Sequence, residues 1–194
     1  MTIMNGDKVK LRPIIYDDVY LLNKWKNTES VYKYLGGGFL PTSIDIQKKW
    51  MENMMNTTGS NKRFIIESDD KHEAIGMIGL YEINWINRTC ELGVFIGECK
   101  LQGSGYGKEA CRLIENYAFD YLNLRKIKLS VVEENIRAVR MYQSLGYVEA
   151  GRLHEERFID GHYCSLFIME KLSPKISGGG YEFYNIIHSQ GVYI

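Results

Sequence analysis

A chain of 194 residues with 45% hydrophobic and 25% charged residues suits one globular domain with a sizeable core and is short for two. Its 24 basic and 24 acidic residues cancel to a formal net charge of zero. Nothing in that balance points to a nucleic-acid or membrane partner, and neither is expected.

The N-terminal MTIMNGDKVKLRP has no apolar core of signal-peptide length. Within it KVKLRP (8–13) alternates polar and apolar residues as a short strand does. Asp17 and Asp18 signal a helix start, and Val19, Leu22 and Trp25/Lys26 recur at helical spacing, predicting a first helix near 17–27. GGGFLP (36–41) reads as a loop. Ser43 is placed to cap a second helix, IDIQKKWMENMMN, with Ile46, Trp50 and Met54 as its stripe. Three strand-like runs follow: RFIIES (63–68), AIGMIGLYEI (74–83) and TCELGVFI (89–96). The short, turn-like DDKH and NWINR between them predict an antiparallel meander.

A glycine-rich stretch, LQGSGYGKEA (101–110), then opens a helix with Ala110, Leu113, Ile114, Tyr117, Ala118 and Tyr121 on one face. KIKLSVV (126–132) is another strand. Asn135 is placed to cap a short helix, IRAVRMYQSL, which Gly146 ends. Strands are expected near YVEAGRL (147–153) and HYCSLFIMEKL (162–172), joined by a turn at IDG. The partition is therefore a domain over 1–172, then a linker and apolar tail over 173–194 expected to pack on the domain or a neighbouring subunit. No window reaches 18 continuous apolar residues. Cys90, Cys99, Cys111 and Cys164 form no CxxC pair, and His72, His154, His162 and His188 complete no zinc pattern with them. Free thiols, no metal and a reducing, cytoplasmic setting are the expectation.

The glycine-rich stretch carries the first functional signal. The order strand, loop, helix puts bare N–H groups and the positive end of a helix dipole at one place. Glycines supply positive φ and close backbone approach, and several N–H groups aimed together make a nest for phosphate oxygens. The stretch is not a P-loop: Glu109 follows Lys108 where Ser or Thr is required. Nor is it a dinucleotide fingerprint, since Gly103, Gly105 and Gly107 space as GxGxG after a late strand. A glycine turn without any ligand remains open on this stretch alone.

A second motif extends the first. QGSGYG (102–107), followed after an intervening strand by NxxAVxxYxxLGY (Asn135, Ala138, Val139, Tyr142, Leu145, Gly146, Tyr147), resembles the GNAT superfamily of acetyl-CoA-dependent N-acetyltransferases. The resemblance covers about residues 7–172. It implies an α/β fold with a mixed, mostly antiparallel sheet of about seven strands flanked by about four helices. VKLRP and HEERFIDGHY (154–163) are similar to the branch of ribosomal-protein N-terminal and spermidine acetyltransferases, and RFIIES, LYEINWINR and CELGVFI resemble the spermidine enzymes. One departure stands out: YLGGGFLPTS (34–43) has no carboxylate where the spermidine enzymes carry an acidic cluster.

The resemblance also implies roles. Gln102, Gly103, Ser104, Gly105, Tyr106, Gly107 and Lys108 hold the pyrophosphate of acetyl-CoA, Val94, Phe95 and Ile96 line its pantetheine arm, and Asn135 and Ala138 meet it near the thiol. Tyr142 is the general acid for the leaving thiolate, since a tyrosine of pKa about 10 is protonated at neutral pH. Glu82 and Glu91 attract a cationic amine, and Glu91, directly or through water, takes its proton. The expected reaction is acetyl transfer to a primary amine, with a peptide N-terminus as main reading and spermidine or another small amine as alternative. A non-catalytic acyl-CoA-binding module and a nucleotide-binding protein are readings of other classes. Exposed strand edges and the apolar tail suggest a homodimer.

Overall fold

The computed structural model describes residues 4–36, 38–70 and 72–175; the expected tail packing over 176–194 lies outside them. Seven strands form one sheet: β1 (Val9–Pro13), β2 (Lys62–Ser68), β3 (Ala74–Asn84), β4 (Thr89–Ile96), β5 (Lys126–Val132), β6 (Val148–Ile159) and β7 (His162–Leu172). Five helices accompany them: α1 (Val19–Lys26), α2 (Glu29–Tyr32), α3 (Ile44–Met55), α4 (Tyr106–Asn116) and α5 (Ile136–Ser144). The strand order is β1-β2-β3-β4-β5-β7-β6, antiparallel throughout except for the parallel β4–β5 pair. The expected meander β2–β3–β4 is present, and a mixed seven-stranded sheet bears out the expected architecture, with the short α2 as an addition.

Strand alternation sorts the core onto two faces. Cys90, Leu92, Val94 and Ile96 of β4 join the cluster of α4 and α5 with Ile78, Leu80, Ile127 and Leu129. Phe95 instead packs with Met77 and Ile65 under α1 and α3, around Trp25 and Met51. Helix α1 buries Val19, Leu22 and Trp25 as its spacing predicts. Helix α3 is capped by Ser43, whose hydroxyl accepts from Ile46 N, but the stripe expectation fails. Gln47 and Met51 are buried while Ile46 and Trp50 are exposed. The apolar residues of this helix cover about half its circumference, and it docks through the Gln47–Met51 part of that half with Ile44, Met54 and Met55 alongside, leaving the Ile46–Trp50 part to solvent.

Asp18 also differs from its expected part as a simple helix signal. It receives both Arg12 terminal nitrogens, at 2.7 and 2.8 Å, and the Ile15 N–H, fixing β1 to the entry of α1. The long helical stripe holds through Ala118, but a wider π-turn over Tyr117–Tyr121 leaves Tyr121 exposed and stacked on Tyr117 at 5.4 Å. Strand β6 runs to Ile159, beyond the expected 153, paired with β7 across two irregularities. No helix among the described residues is long and apolar enough to cross a membrane.

Candidate functional site

The site is built around a break in the sheet. Parallel pairing of β4 with β5 covers only Thr89–Lys126, Cys90–Ile127 and Glu91–Lys128. Beyond it β4 continues to Ile96 along β3, and β5 continues to Val132 along β7, so the two strands part. Residues 92–96 and 129–132 thus turn backbone edges toward a wedge that opens away from Glu91. Unpaired strand edges take an extended ligand through main-chain hydrogen bonds. Val94, Phe95 and Ile96 lie on this edge: Val94 and Ile96 face α4 and α5, and Phe95 faces the other layer.

The glycine loop stands at the wide end of the wedge. Gly103 and Gly105 have φ of 83° and 92°, in the left-handed region that favours glycine. No atom lies within 4 Å of where a Gly103 Cβ would stand, and only Lys8 Nζ comes that close at Gly105, so both open outward. Gly105 caps α4, whose first capping-turn bond runs from Glu109 N to Gly105 O at 3.1 Å. The N–H groups of Tyr106, Gly107 and Lys108 therefore have no intrahelical carbonyl and can hold a phosphate. Ser104 is exposed, and its carbonyl accepts from Lys8 Nζ at 3.3 Å. Gln102 uses its side chain on the scaffold: Nε2 donates to the Ile96 carbonyl at 3.0 Å, tying the loop to the end of β4.

Sequence reading missed two residues here. Lys8 brings a cation to the loop, and Glu109 accepts the N–H groups of Asp7 and Lys8, pinning the start of β1 against α4. Both contacts join segments about a hundred residues apart, with no signal in the local pattern. Gly107, Ile96 and Met141 meet at the wall of the wedge: a Cβ on Gly107 would lie 3.8 Å from both Ile96 Cγ1 and Met141 Sδ. Asn135 caps α5 by accepting from Ala138 N at 3.3 Å, which places both residues at the head of the helix carrying Tyr142.

Tyr142 is 6% exposed in the α4–α5 cluster and packs edge-on against Tyr147, with ring centroids 5.6 Å apart. Burial, with a smaller push from Cys111, holds its phenol well above the usual value, so it keeps its proton. Behind it lies a buried polar group unforeseen from sequence. Glu115 is paired with Lys171 at 2.6 Å, and the Lys171 ammonium sits over the Tyr147 ring at 5.7 Å. The Tyr147 hydroxyl and Glu115 Oε1 are buried without a hydrogen-bond partner. Burial raises the Glu115 pKa despite the opposing pull of Lys171.

The opposite face of the wedge is acidic and aromatic. The pairs Tyr81–Glu91, Gly79–Gly93 and Met77–Phe95 put these side chains on one face. Tyr81 folds back over the glycine pair: a Cβ on Gly79 or Gly93 would stand 2.9 Å from its ring. Arg63 lies over that ring at 5.2 Å, and Tyr32 from α2 packs on Phe95 at 5.7 Å. Glu91 is half-buried at the apex of the wedge, its pKa raised first by burial and then by Glu82, against a smaller pull from Lys128. Glu82 is exposed with φ of 50° at an irregularity between Tyr81 and Asn84, its N–H donating to Asn61 Oδ1. Glu82 follows Tyr81, which pairs directly with Glu91, so the two expected carboxylates lie at one end of the β3–β4 pairing with Tyr81 as an unforeseen neighbour.

Comparison with known proteins points the same way. The acetyltransferase (GNAT) domain family matches residues 8–148. A spermidine N(1)-acetyltransferase of Escherichia coli K12 is 32% identical over 159 residues, covering 82% of this chain and 83% of that protein. A crystal structure of the Vibrio cholerae spermidine N-acetyltransferase, in complex with CoA and spermine, superposes with a TM-score of 0.79 at 30% identity. It covers 88% of this chain and 98% of that one. YdaF of Bacillus subtilis, a candidate ribosomal N-acetyltransferase, is 22% identical over 158 residues, covering 79% of this chain and 84% of that protein.

Proposed function

The chain belongs to the GNAT N-acetyltransferases, and from that premise we propose that its acceptor is a polyamine or a similar small cationic amine. The transfer of acetyl from acetyl-CoA to an amine is the family's reaction. The more similar relatives named above acetylate spermidine, which favours the small-amine alternative over the peptide N-terminus first expected. The single observation that carries the proposal within this chain is the Glu91–Glu82 pair beside the Tyr81 ring at the apex of the wedge. Two carboxylates at this point suit a flexible polycation through charge attraction.

The chain's own groups then divide the work. The N–H groups of Tyr106, Gly107 and Lys108, with the Lys8 side chain nearby, hold the pyrophosphate, and the β4 edge around Val94 and Phe95 holds the arm. The bound coenzyme supplies an activated acetyl thioester. Glu91 sits where an amine entering from the acidic face would meet the wedge, and its raised pKa suits it to accept the amine's proton through water. Tyr142, on the α5 side, stays protonated and donates to the departing sulfur. The break between β4 and β5 lets groups on the two faces serve one reaction. The 34–43 loop, free of carboxylates, leaves acceptor charge recognition to Glu91 and Glu82. A homo-oligomer also fits: Phe158 and Tyr163 lie exposed on the β6–β7 edge, 5.1 Å apart, and a solved V. cholerae relative is described as dodecameric.

The test is thiol release from acetyl-CoA with spermidine, spermine and peptides of varied N-termini. Polyamine turnover is expected to exceed peptide turnover, and to fall as pH drops through the raised Glu91 pKa, because a protonated carboxyl cannot take the amine's proton. Glu91→Gln should lower kcat/KM for spermidine roughly tenfold or more and remove that acidic limb. Peptide turnover above polyamine turnover, or an unchanged acidic limb in Glu91→Gln, would sink the assignment.

A further inference from the structure

Away from the acetyl-transfer groups, three side chains from two segments converge on one point. Glu134 lies in the β5–α5 turn, and His162 and Cys164 stand two residues apart at the start of β7, hence on one face. Their ligand atoms all lie within 4.8 Å of one another. Glu134 Oε1 is 2.8 Å from His162 Nε2, and Cys164 Sγ is 3.4 Å from each of those atoms.

Two chemistries compete for such a trio. In a nucleophilic triad the imidazole offers one nitrogen to the nucleophile and the other to the carboxylate. Here a single nitrogen, Nε2, meets both the thiol and the carboxylate, so the relay geometry fails. Convergence on one point is what a metal ion requires. With Zn–S of about 2.3 Å and Zn–N or Zn–O of about 2.0–2.1 Å, tetrahedral ligands stand about 3.5 Å apart for sulfur to N or O and about 3.3 Å for N to O. Both sulfur distances already meet this. The Glu134–His162 gap must widen by roughly half an ångström, which an exposed carboxylate on a turn can allow. The remaining ring nitrogen, Nδ1, stands 3.5 Å from the Asp160 carbonyl, the outer contact that leaves Nε2 free to ligate.

The surroundings also suit an ion. Cys164 is 2% exposed against Val132, Ile159 and Leu166, whereas Glu134 and His162 are exposed, so the ligands open to solvent on one side. We propose that Glu134, His162 and Cys164 form a three-ligand site for a zinc-class divalent cation, with water in the fourth position. Thiolate and imidazole select Zn²⁺ or Co²⁺ over the hard Mg²⁺ and Mn²⁺. The ion joins β7 to the turn just before Asn135, the cap of the helix that carries Tyr142. The absence of a zinc spacing in the sequence is thereby accounted for: strand alternation pairs His162 with Cys164, and only the fold brings Glu134 to them.

The full chain, stripped with chelator, is titrated with Co²⁺ and then with Zn²⁺ in competition. One Co²⁺ per chain is expected, with a thiolate-to-cobalt charge-transfer band displaced by Zn²⁺ and left in place by equimolar Mn²⁺. The band should vanish in Cys164→Ser and survive in Cys99→Ser, which removes the exposed thiol elsewhere. Glu134→Gln, a surface change that leaves the core intact, should weaken Co²⁺ binding about tenfold or more. The proposal is overturned if no band forms, if it persists in Cys164→Ser, if it is lost in Cys99→Ser, or if Glu134→Gln binds as tightly as the parent.

Discussion

The two faces of the sheet present different material to the wedge between β4 and β5. On the α4–α5 face the ligand-directed groups are main-chain: loop N–H groups around Gly103 and Gly105, and the β4 edge beyond Glu91. On the α1–α3 face the groups proposed for the acceptor are side chains, Glu91 and Glu82, with Tyr81 between them in the β3–β4 pairing. The first kind of surface suits a ligand part common to every member of a coenzyme-using family. The second can change acceptor by changing residues without disturbing the fold. Tyr142 belongs to the first face by packing.

That contrast can be broken at its support first. Lys171→Met would leave Glu115 buried without its cation, a loss expected to cost about 3–5 kcal/mol at neutral pH. The carboxyl left behind binds its proton more tightly folded than unfolded, so the variant's stability should fall as pH rises above the ordinary carboxylate range. Urea unfolding across pH checks both; a loss under about 1 kcal/mol would show that the pair is not the support for the Tyr142–Tyr147 packing. Next, Tyr142→Phe keeps the edge-on ring contact and removes only the hydroxyl. Turnover should fall about 10²-fold or more while acetyl-CoA binding holds, and near-parental kcat would remove Tyr142 from the chemistry.

The smallest effect sharpens the division most. Gly105→Ala forces a side chain into a backbone with φ of 92°, a strain of roughly 1–2 kcal/mol. The KM for acetyl-CoA should rise about tenfold, with the acceptor KM unchanged. Glu91→Gln should do the reverse. If either variant moved both constants equally, the two faces would not be separate recognition surfaces.

What could be read from the sequence follows this same divide. A loop that turns through positive φ into a helix start calls for glycines at fixed spacing, so the backbone conformation of QGSGYG was legible. The strands TCELGVFI, KIKLSVV and HYCSLFIMEKL were legible to the residue, because short apolar runs bounded by turn signals and carrying β-branched or aromatic residues favour extended backbone. Helix α3 was legible in extent through Ser43, but its buried line was not, since its apolar side is about half the circumference wide and the polar Gln47 lies at the docked part of it. The parting of β4 from β5 was invisible, because it depends on where a parallel pairing stops rather than on either strand's composition. So were Tyr81 beside Glu91, Lys8 at the loop, Glu115 with Lys171, and Glu134 with His162 and Cys164. Local pattern fixes backbone conformation within a few residues. Only tertiary packing decides which distant side chains share one space, and in this protein the wedge, the acidic acceptor face and the cysteine–histidine–glutamate cluster all depend on that packing.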